Sequence, residues 1–321
     1  MRASARGRDA LSDAATESTT IELTAVIAAV TGDEPRVLTV AGGEALPSGP
    51  FETAHRSLQT GLRSWVERQT HHPLGYVEQL YTFADRDRQH ERGGGRIISI
   101  SYLGLTREAP AAGAEAPAWR DWYRYFPWED WRGGPPPLLT RGILPRLRRW
   151  AAAGEDTATR RARVERVRAS FAATAGDWNE DLVLQRYELL YEAALVHEAL
   201  RPRPRNGAAL SGEPMHYDHR RILATGIARL RATIKYRPVV FELMPPAFTL
   251  LQLQRAVEAL AGRPLHKQNF RRLIDQQGLV EETGAVATET GGRPAKLFRF
   301  RRAVLRERAL AGSKLPLSRP A

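Results

Sequence analysis

The 321-residue chain predicts a mixed α/β fold of the α+β kind: an α/β/α sandwich with a helical, tryptophan-rich insertion, followed by a C-terminal winged helix-turn-helix. Three observations predict it. β-rich runs flank one amphipathic helix in the first hundred residues, four of the seven tryptophans crowd into residues 119–131, and positive charge gathers in the last third, where two capped helices precede a glycine-rich hairpin.

Composition narrows the function classes. The formal net charge of +12 is uneven: residues 220–321 hold 20 Lys and Arg against 7 Asp and Glu, whereas residues 1–219 hold 28 against 29. Such segregation points to a polyanion partner for the last third, and nucleic acid is the commonest. Arginine outnumbers lysine 44 to 4, a habit that explains the choice of cation but not its location. The absence of cysteine excludes disulfides and thiolate metal sites. No run of about 18 apolar residues exists, so no membrane-spanning helix is expected. Residues 1–19 are polar and alanine-rich with charges of both signs, which reads as a disordered tail rather than a signal peptide. A cytoplasmic, nucleoid-associated protein is expected.

The sandwich begins at residue 20. IELTAVIAAV at 21–30 and RVLTV at 36–40 are strand-like runs split by the turn segment TGDEP. A loop then feeds a helix from about His55 to Gln69, with Leu58, Leu62, Trp65 and Val66 at helical spacing. EQLYTFAD at 78–85 and RIISISYLGL at 96–105 are two further strands joined by the charged loop RDRQHERGGG. In the second of them, Ile98, Ile100 and Tyr102 alternate with Ile97, Ser99 and Ser101, the pattern of a largely buried sheet. Strands around one helix imply the sandwich, which extends to about 219.

The loop and helix keep a known frame. Residues 46–71, LPSGPFETAHRSLQTGLRSWVERQTH, resemble the box of Nudix phosphohydrolases: glycine, five residues, glutamate, seven residues, Arg-Glu, an aliphatic, one residue, Glu-Glu, one residue, glycine. Gly49 and Arg63 hold their positions and Glu67 keeps the third glutamate. His55, Ser64 and Arg68 replace the other three, and Thr70 replaces the final glycine. In hydrolases those glutamates are hard oxygen ligands for magnesium, which neutralises a pyrophosphate and activates water. Serine is a poor ligand, arginine places positive charge where the cation sits, and one carboxylate is too few. No catalysis, no metal and no required cofactor are therefore expected; a divergent hydrolase recruiting Glu52, Glu67 and Glu78 is the alternative. His216, Asp218 and His219, like His71 and His72, lack a further clustered ligand and read as structural.

Residues 107–214 form the insertion. WRDWYRYFPWEDWRGGPPP holds Trp119, Trp122, Tyr123, Tyr125, Phe126, Trp128 and Trp131. The cluster reads as a hydrophobic seam or dimer contact rather than a clamp stacking a base, since clustered aromatics dominate cores and interfaces. Helices are expected at about 155–172 and 180–200, the second placing Leu182, Tyr187, Leu190, Tyr191 and Ala194 near one face.

The basic third has its own plan. Residues 220–237 place Ile222, Leu223, Ile227, Leu230 and Ile234 at helical spacing, a connector helix stopped by Pro238. Thr249 and Gln252 form a T-x-x-Q capping box opening a helix that buries Leu250, Leu253, Val257 and Leu260 and stops at Gly262. LHKQNFRRLIDQQG makes a second helix, with Phe270, Leu273 and Ile274 inside and Lys267, Gln268, Arg271 and Arg272 outside. With Asn269, those outer residues are the types that bond base edges and phosphates in a major groove. LVEET and KLFRF, across the turn segment GAVATETGGRPA, make a hairpin with a basic tip. The ordered set over 238–302 describes a winged helix-turn-helix for double-stranded DNA, followed by a basic tail at 303–321.

Taken together, YVEQLYTFADRDR, RIISISYLGL, MHYDHRRIL, NFRR and GRPAKLFRF closely resemble the Nudix-related transcriptional regulators of NAD metabolism, the NrtR type. Within that group, WYRYFPWEDWR and VLQRYELLYEAALVHEA are similar to the proteobacterial NAD-biosynthesis regulators of the NadQ type. The similarity covers about residues 20–302. It implies a homodimeric repressor of NAD biosynthesis genes whose winged helices bind a palindromic operator, and whose Nudix-like domain senses a nucleotide effector: NAD, ADP-ribose or another adenine nucleotide such as ATP. Carried over by position, Thr249, Gln252, Lys267, Gln268, Asn269, Arg271, Arg272, Arg293 and Lys296 would contact DNA. Gly49, His55, Arg63, Glu67, Arg68, Glu78 and Arg96 would surround the effector.

Overall fold

The computed structural model describes residues 19–71, 74–85, 96–108, 117–171, 177–200, 212–287 and 294–303. Its first sheet contains β1 (Thr19–Thr31), β2 (Glu34–Thr39), β3 (Ser48–Pro50), β4 (Tyr76–Phe83), β5 (Arg96–Leu105) and β6 (Ala118–Asp121). The order is β4-β5-β1-β2-β6, with β3 also paired to β1. β1 and β5 run parallel over the whole of Thr19–Ala28, and the other pairs are antiparallel. β2 starts two residues before the expected Arg36, because Gly32 and Asp33, at φ +57 and +65, close a two-residue hairpin between Thr31 and Glu34. Consecutive positive φ values suit the twist of a tight hairpin.

The alternation of β1 sends side chains to two cores. Leu23, Ala25 and Ile27, with Leu38, pack against Leu62 and Val66 of α1 (Leu58–Thr70), while Val26 and Ala28 join the cluster containing Ile222, Leu223 and Ile227 of α5 (His219–Ile234). One helix on each face completes the expected sandwich. α5 comes close because Gly226 lies against Val26: a Cβ there would stand 2.8 Å from Val26 Cγ1. The Nudix-like helix starts at Leu58 rather than His55, since Ser57 is its N-cap and its Oγ accepts from the Thr60 N–H at 3.2 Å.

The insertion folds as short 3₁₀ turns at 122–124 and 127–129, then α2 (Leu144–Ala152), α3 (Thr157–Ser170) and α4 (Val183–Glu192). α2 has no counterpart among the expected elements. Pro145 obscures it in the sequence, yet a proline in the first turn removes no helical hydrogen bond. α4 stops at Glu192, short of the expected 200, where Ala194 turns left-handed at φ 52. Trp122, Tyr123, Tyr125, Phe126, Trp128 and Trp131 are all buried in one core with Tyr187 and Leu190. They are a seam inside the chain, and their burial leaves no ring face open for a base.

The C-terminal part contains α6 (Leu250–Ala261), α7 (Lys267–Gln277), β7 (Val280–Ala287) and β8 (Ala295–Phe300). Both bonds of the capping box form: the Thr249 N–H donates to Gln252 Oε1 at 2.8 Å and the Gln252 N–H to Thr249 Oγ1 at 3.1 Å. Gly262 and Gly278 end the two helices in the left-handed region. β7 runs on through GAVA, which the sequence assigns to the turn, with a register slip between Glu282 and Val286 where Gly284 adopts φ +81. Leu273 departs from expectation as well. It is 51% exposed, at the wall of an open space rather than packed in a core. That space, a cavity of about 760 Å³, opens between the end of α5, the turn Val239–Glu242, α6 and α7. Among the described residues no helix is long and apolar enough to cross a membrane.

Candidate functional site

The degenerate box is filled by its own substitutes. Trp65, at the aliphatic position, lies across Gly49 so closely that a Cβ there would stand 2.2 Å from the indole, and its Nε1–H donates to the Pro50 carbonyl at 2.8 Å. Arg68 sits over the same ring at 4.2 Å and donates to Ser64 Oγ at 3.2 Å. His55 packs on Gly61, where a Cβ would meet its Nδ1 at 2.8 Å, and that nitrogen accepts the Glu52 N–H at 3.0 Å. Arg63 fastens the far end of α1 by donating to the carbonyls of Leu74 and Gly75. Gln69 grips Ser48 through both its N–H and its carbonyl.

This geometry does not suit a magnesium cluster. Glu67, the retained acid, is exposed, and among the described residues no hydrogen bond or ion pair engages its carboxylate. Arg68 occupies the adjoining space as a stacked cation, and no group of three or more His, Asp or Glu converges among the described residues. Glu78 is drawn elsewhere: it accepts from Tyr76 Oη at 2.5 Å and faces Arg229 of α5 at 3.5 Å. The Arg96 side chain and His72 lie outside the described residues. Gly49, Arg68 and Ser64 therefore gather around Trp65, His55 stands apart against Gly61 and Phe51, Arg63 reaches the chain after α1, and Glu78 stands on the strand facing α5.

His216 and His219 are structural in their contacts. His216 Nε2 meets Glu44 at 3.0 Å, and His219 Nδ1 accepts the Leu46 N–H at 3.0 Å, pinning the start of α5 to the loop after β2.

The outer face of α7 has a different character. Lys267, Gln268, Arg271 and Arg272 lie on it and are exposed; Asn269 is exposed too but lines the cavity side of the helix with Leu273, and none of the five has a hydrogen-bond or ion-pair partner among the described residues. Four other cations of this part of the chain are neutralised: Arg255 by Asp33, Arg263 by Glu180, Arg299 by Glu281 and Lys296 by Glu282. Lys296 therefore stands in a cross-strand ion pair at 2.8 Å on the hairpin, and Arg293 lies outside the described residues. Thr249 is buried, with its hydroxyl serving the helix cap, while Gln252 is exposed but commits its Oε1 to the Thr249 N–H of the same cap.

Between these two regions lies a joint that sequence reasoning missed. Glu129 is buried and receives Arg186 of α4 at 2.5 and 2.8 Å and Arg231 of α5 at 2.7 Å. Arg231 Nε also donates to the Leu260 carbonyl at 2.8 Å, Tyr123 Oη donates to the Ala259 carbonyl at 2.7 Å, and the Trp131 N–H reaches the Gly262 carbonyl at 2.6 Å. The last carbonyls of a helix have no partner within it. Here the insertion and α5 supply three donors to the end of α6, at the turn that aims α7. Burial pushes the Tyr123 hydroxyl above its usual range, so it stays a neutral donor. One signal was available: Arg220, Leu223, Ile227 and Arg231 share one stripe of α5, so both arginines end an otherwise apolar face.

Known proteins carry the same order of parts. Residues 240–300 match the family described as the NrtR DNA-binding winged helix domain. The "ADPR responsive transcriptional repressor NtrR" of Acinetobacter baylyi is 42% identical over 84 residues, which is 26% of this chain and 33% of that protein, so the matched stretch spans a third of the relative's length. The crystal structure of Shewanella oneidensis NrtR superimposes with a TM-score of 0.52 at 18% identity, covering 88% of this chain and 94% of that one. The same protein complexed with a 27mer DNA gives 0.50 at 20% identity, with the same coverage. By the family of its C-terminal domain and by fold over most of its length, the chain is similar to NrtR, a Nudix-like sandwich followed by an NrtR-type winged helix.

Proposed function

We propose that the protein is a metabolite-responsive, DNA-binding transcriptional repressor of NAD biosynthesis genes, acting as a homodimer on a palindromic operator. A Nudix-like domain over about 20–219 senses ADP-ribose, NAD or another adenine nucleotide, α5 connects, and the winged helix over about 238–302 reads DNA. The observation that carries this reading is the outer face of α7: exposed, cationic and uncompensated, on the second helix of a winged helix in which Arg255, Arg263, Lys296 and Arg299 are ion-paired. Lys267, Gln268, Asn269, Arg271 and Arg272 supply phosphate and base-edge donors. The basic tip with Arg293 and Lys296 adds wing contacts, and Gln252 a backbone contact at the start of α6.

The effector pocket is proposed beside the Trp65–Gly49 patch, with His55, Arg63, Glu67 and Arg68 around it and Glu78 and Arg96 at its border. Binding without turnover is supported by the missing carboxylates and the solitary Glu67. An effector can shift the operator-fitting state only by binding two arrangements with different affinity. α5 suits that role, since Gly226 rests on β1 and Arg231 holds α6.

The test is an operator-binding titration with and without ADP-ribose, NAD and ATP, alongside a magnesium-dependent turnover assay on the same nucleotides. Operator affinity that changes with one nucleotide, without its consumption, is the expected result. Turnover abolished by Glu67→Gln would overturn the reading in favour of a hydrolase.

A further inference from the structure

We propose that the α2–α3 hairpin of the insertion is a second polyanion-binding surface, fitted to the phosphate backbone of duplex DNA and separate from the winged helix. The near-neutral balance of residues 1–219 conceals it. Residues 141–171 contain nine arginines against three acidic residues, Glu155, Asp156 and Glu165. Two of the nine are neutralised, Arg161 by Glu165 at 3.0 Å and Arg166 by Glu192 at 2.6 Å. Arg163 lies over Trp150, and Arg146 and Arg160 donate to backbone carbonyls. Arg141, Arg148, Arg149 and Arg168 are exposed, with neither a carboxylate nor any other polar partner among the described residues.

The two helices run as a hairpin joined by residues 153–156. Arg148 of α2 and Arg168 of α3 line one cleft of about 440 Å³ whose apolar wall includes Leu144, Ala151, Val167 and Phe171. Guanidinium groups against a low-dielectric wall project a stronger field than the same charges in open water. Their planar forks match phosphate oxygens in pairs. α3 itself buries only Val167, so packing explains little of its surface.

Two polyanions compete for such a surface, a membrane of anionic lipid and a nucleic acid. An interfacial helix needs a broad apolar face beside its cations. Among the described residues of this hairpin, Val164 is the one large apolar side chain counted as exposed, at 37%. The chemistry is that of a phosphate ladder without a hydrocarbon layer beneath it, and duplex DNA presents that ladder.

The experiment uses the full chain and a duplex of random sequence, so it does not depend on operator reading by α7. Binding is followed against salt for the wild type, for the triple variant Arg148→Gln, Arg149→Gln, Arg168→Gln, and for its Lys counterpart, with melting curves recorded for each. The Gln variant is expected to melt as the wild type does and to bind with a shallower salt dependence. Each lost phosphate contact removes roughly 0.9 from the log–log slope. The Lys variant, which keeps the charge, should retain the slope and so separates charge from fold. A folded Gln variant with unchanged affinity and slope overturns the proposal. So does binding of the wild type to phosphatidylglycerol vesicles that the Gln variant loses while keeping its duplex binding. An Arg271→Ala, Arg272→Ala protein that still discriminates operator from random duplex would instead sink the winged-helix reading and leave this one to its own test.

Discussion

Glu129 and Arg231 meet at 2.7 Å where both side chains are almost wholly excluded from water, and the bond ties the aromatic insertion to the helix that enters the winged domain. Arg186 shares the same carboxylate, so one buried anion holds two buried cations. A buried pair adds little over apolar packing, but losing one partner leaves charge stranded. Replacing Glu129 by Gln keeps the shape and removes the charge. Glu129→Gln should lower unfolding stability by about 3–5 kcal/mol, read from urea titrations; a loss below about 1 kcal/mol, the scale of an exposed pair, would show that the network does not bind the domains together.

Gly262 offers a second probe of the same joint. It ends α6 at φ +72, and a Cβ there would approach the Glu129 carbonyl to 2.4 Å. Gly262→Ala combines a left-handed penalty of about 1–2 kcal/mol with displacement of the insertion. Thermal unfolding should shift downward and operator affinity should fall with it, because the turn orienting α7 moves. An unaltered melting curve would contradict the geometry.

On α7, Arg271→Ala or Arg272→Ala should each weaken operator binding by about 1–3 kcal/mol if the side chain makes a bidentate base contact. Lys296→Ala should instead weaken all sequences alike, since a phosphate contact carries no sequence information. Its Glu282 partner must first release it, which reduces the effect. Competition titrations with operator and scrambled duplexes distinguish these outcomes, and wild-type behaviour of all three variants would remove the assignment.

At the box, Arg68 is the cation nearest the patch that lost its carboxylates. If it meets nucleotide phosphates where hydrolases place magnesium, Arg68→Ala should weaken ADP-ribose binding about tenfold, or about 1.4 kcal/mol, and added magnesium should not restore it. Calorimetry with and without magnesium reads this directly. Binding that requires magnesium and ignores Arg68 would show that the pocket works in the hydrolase manner.

Alkaline pH should loosen the insertion. Burial pushes the Tyr125 hydroxyl up to about 12, from 10.0 in water, and raises that of Tyr123 as well. Above pH 10 the unfolded chain releases these protons and the folded chain does not, so the unfolded state is favoured as pH rises. Stability is complete below about pH 10 and should fall by on the order of 1.4 kcal/mol per pH unit for each such tyrosine until its folded value is reached. Unfolding midpoints flat between pH 9 and 12 would contradict this.

The limits of α6 and α7 are legible in the sequence because local chemistry writes them: Thr249 with Gln252, then Gly262 and Gly278. The box is legible because its spacing survives even where its chemistry does not. Glu129, Arg186 and Arg231 are not, because charged residues read as surface until distant partners enclose them. Leu273 fails for the converse reason. Helical spacing marks it as apolar-face, but it lines the cavity between α5, α6 and α7 instead of packing in the core. The basic hairpin of the insertion vanishes in a regional average, since acidic stretches elsewhere in residues 1–219 cancel it.

The three bonds that Tyr123, Arg231 and Trp131 make to the end of α6 bear on how such a protein can be rearranged. A winged helix whose central turn is closed by atoms of the preceding sandwich and its insertion is not an interchangeable cartridge. Grafted behind a different sensor, residues 238–302 would arrive with three carbonyls unanswered, and a chimera would have to bring the aromatic segment and α5 along with them.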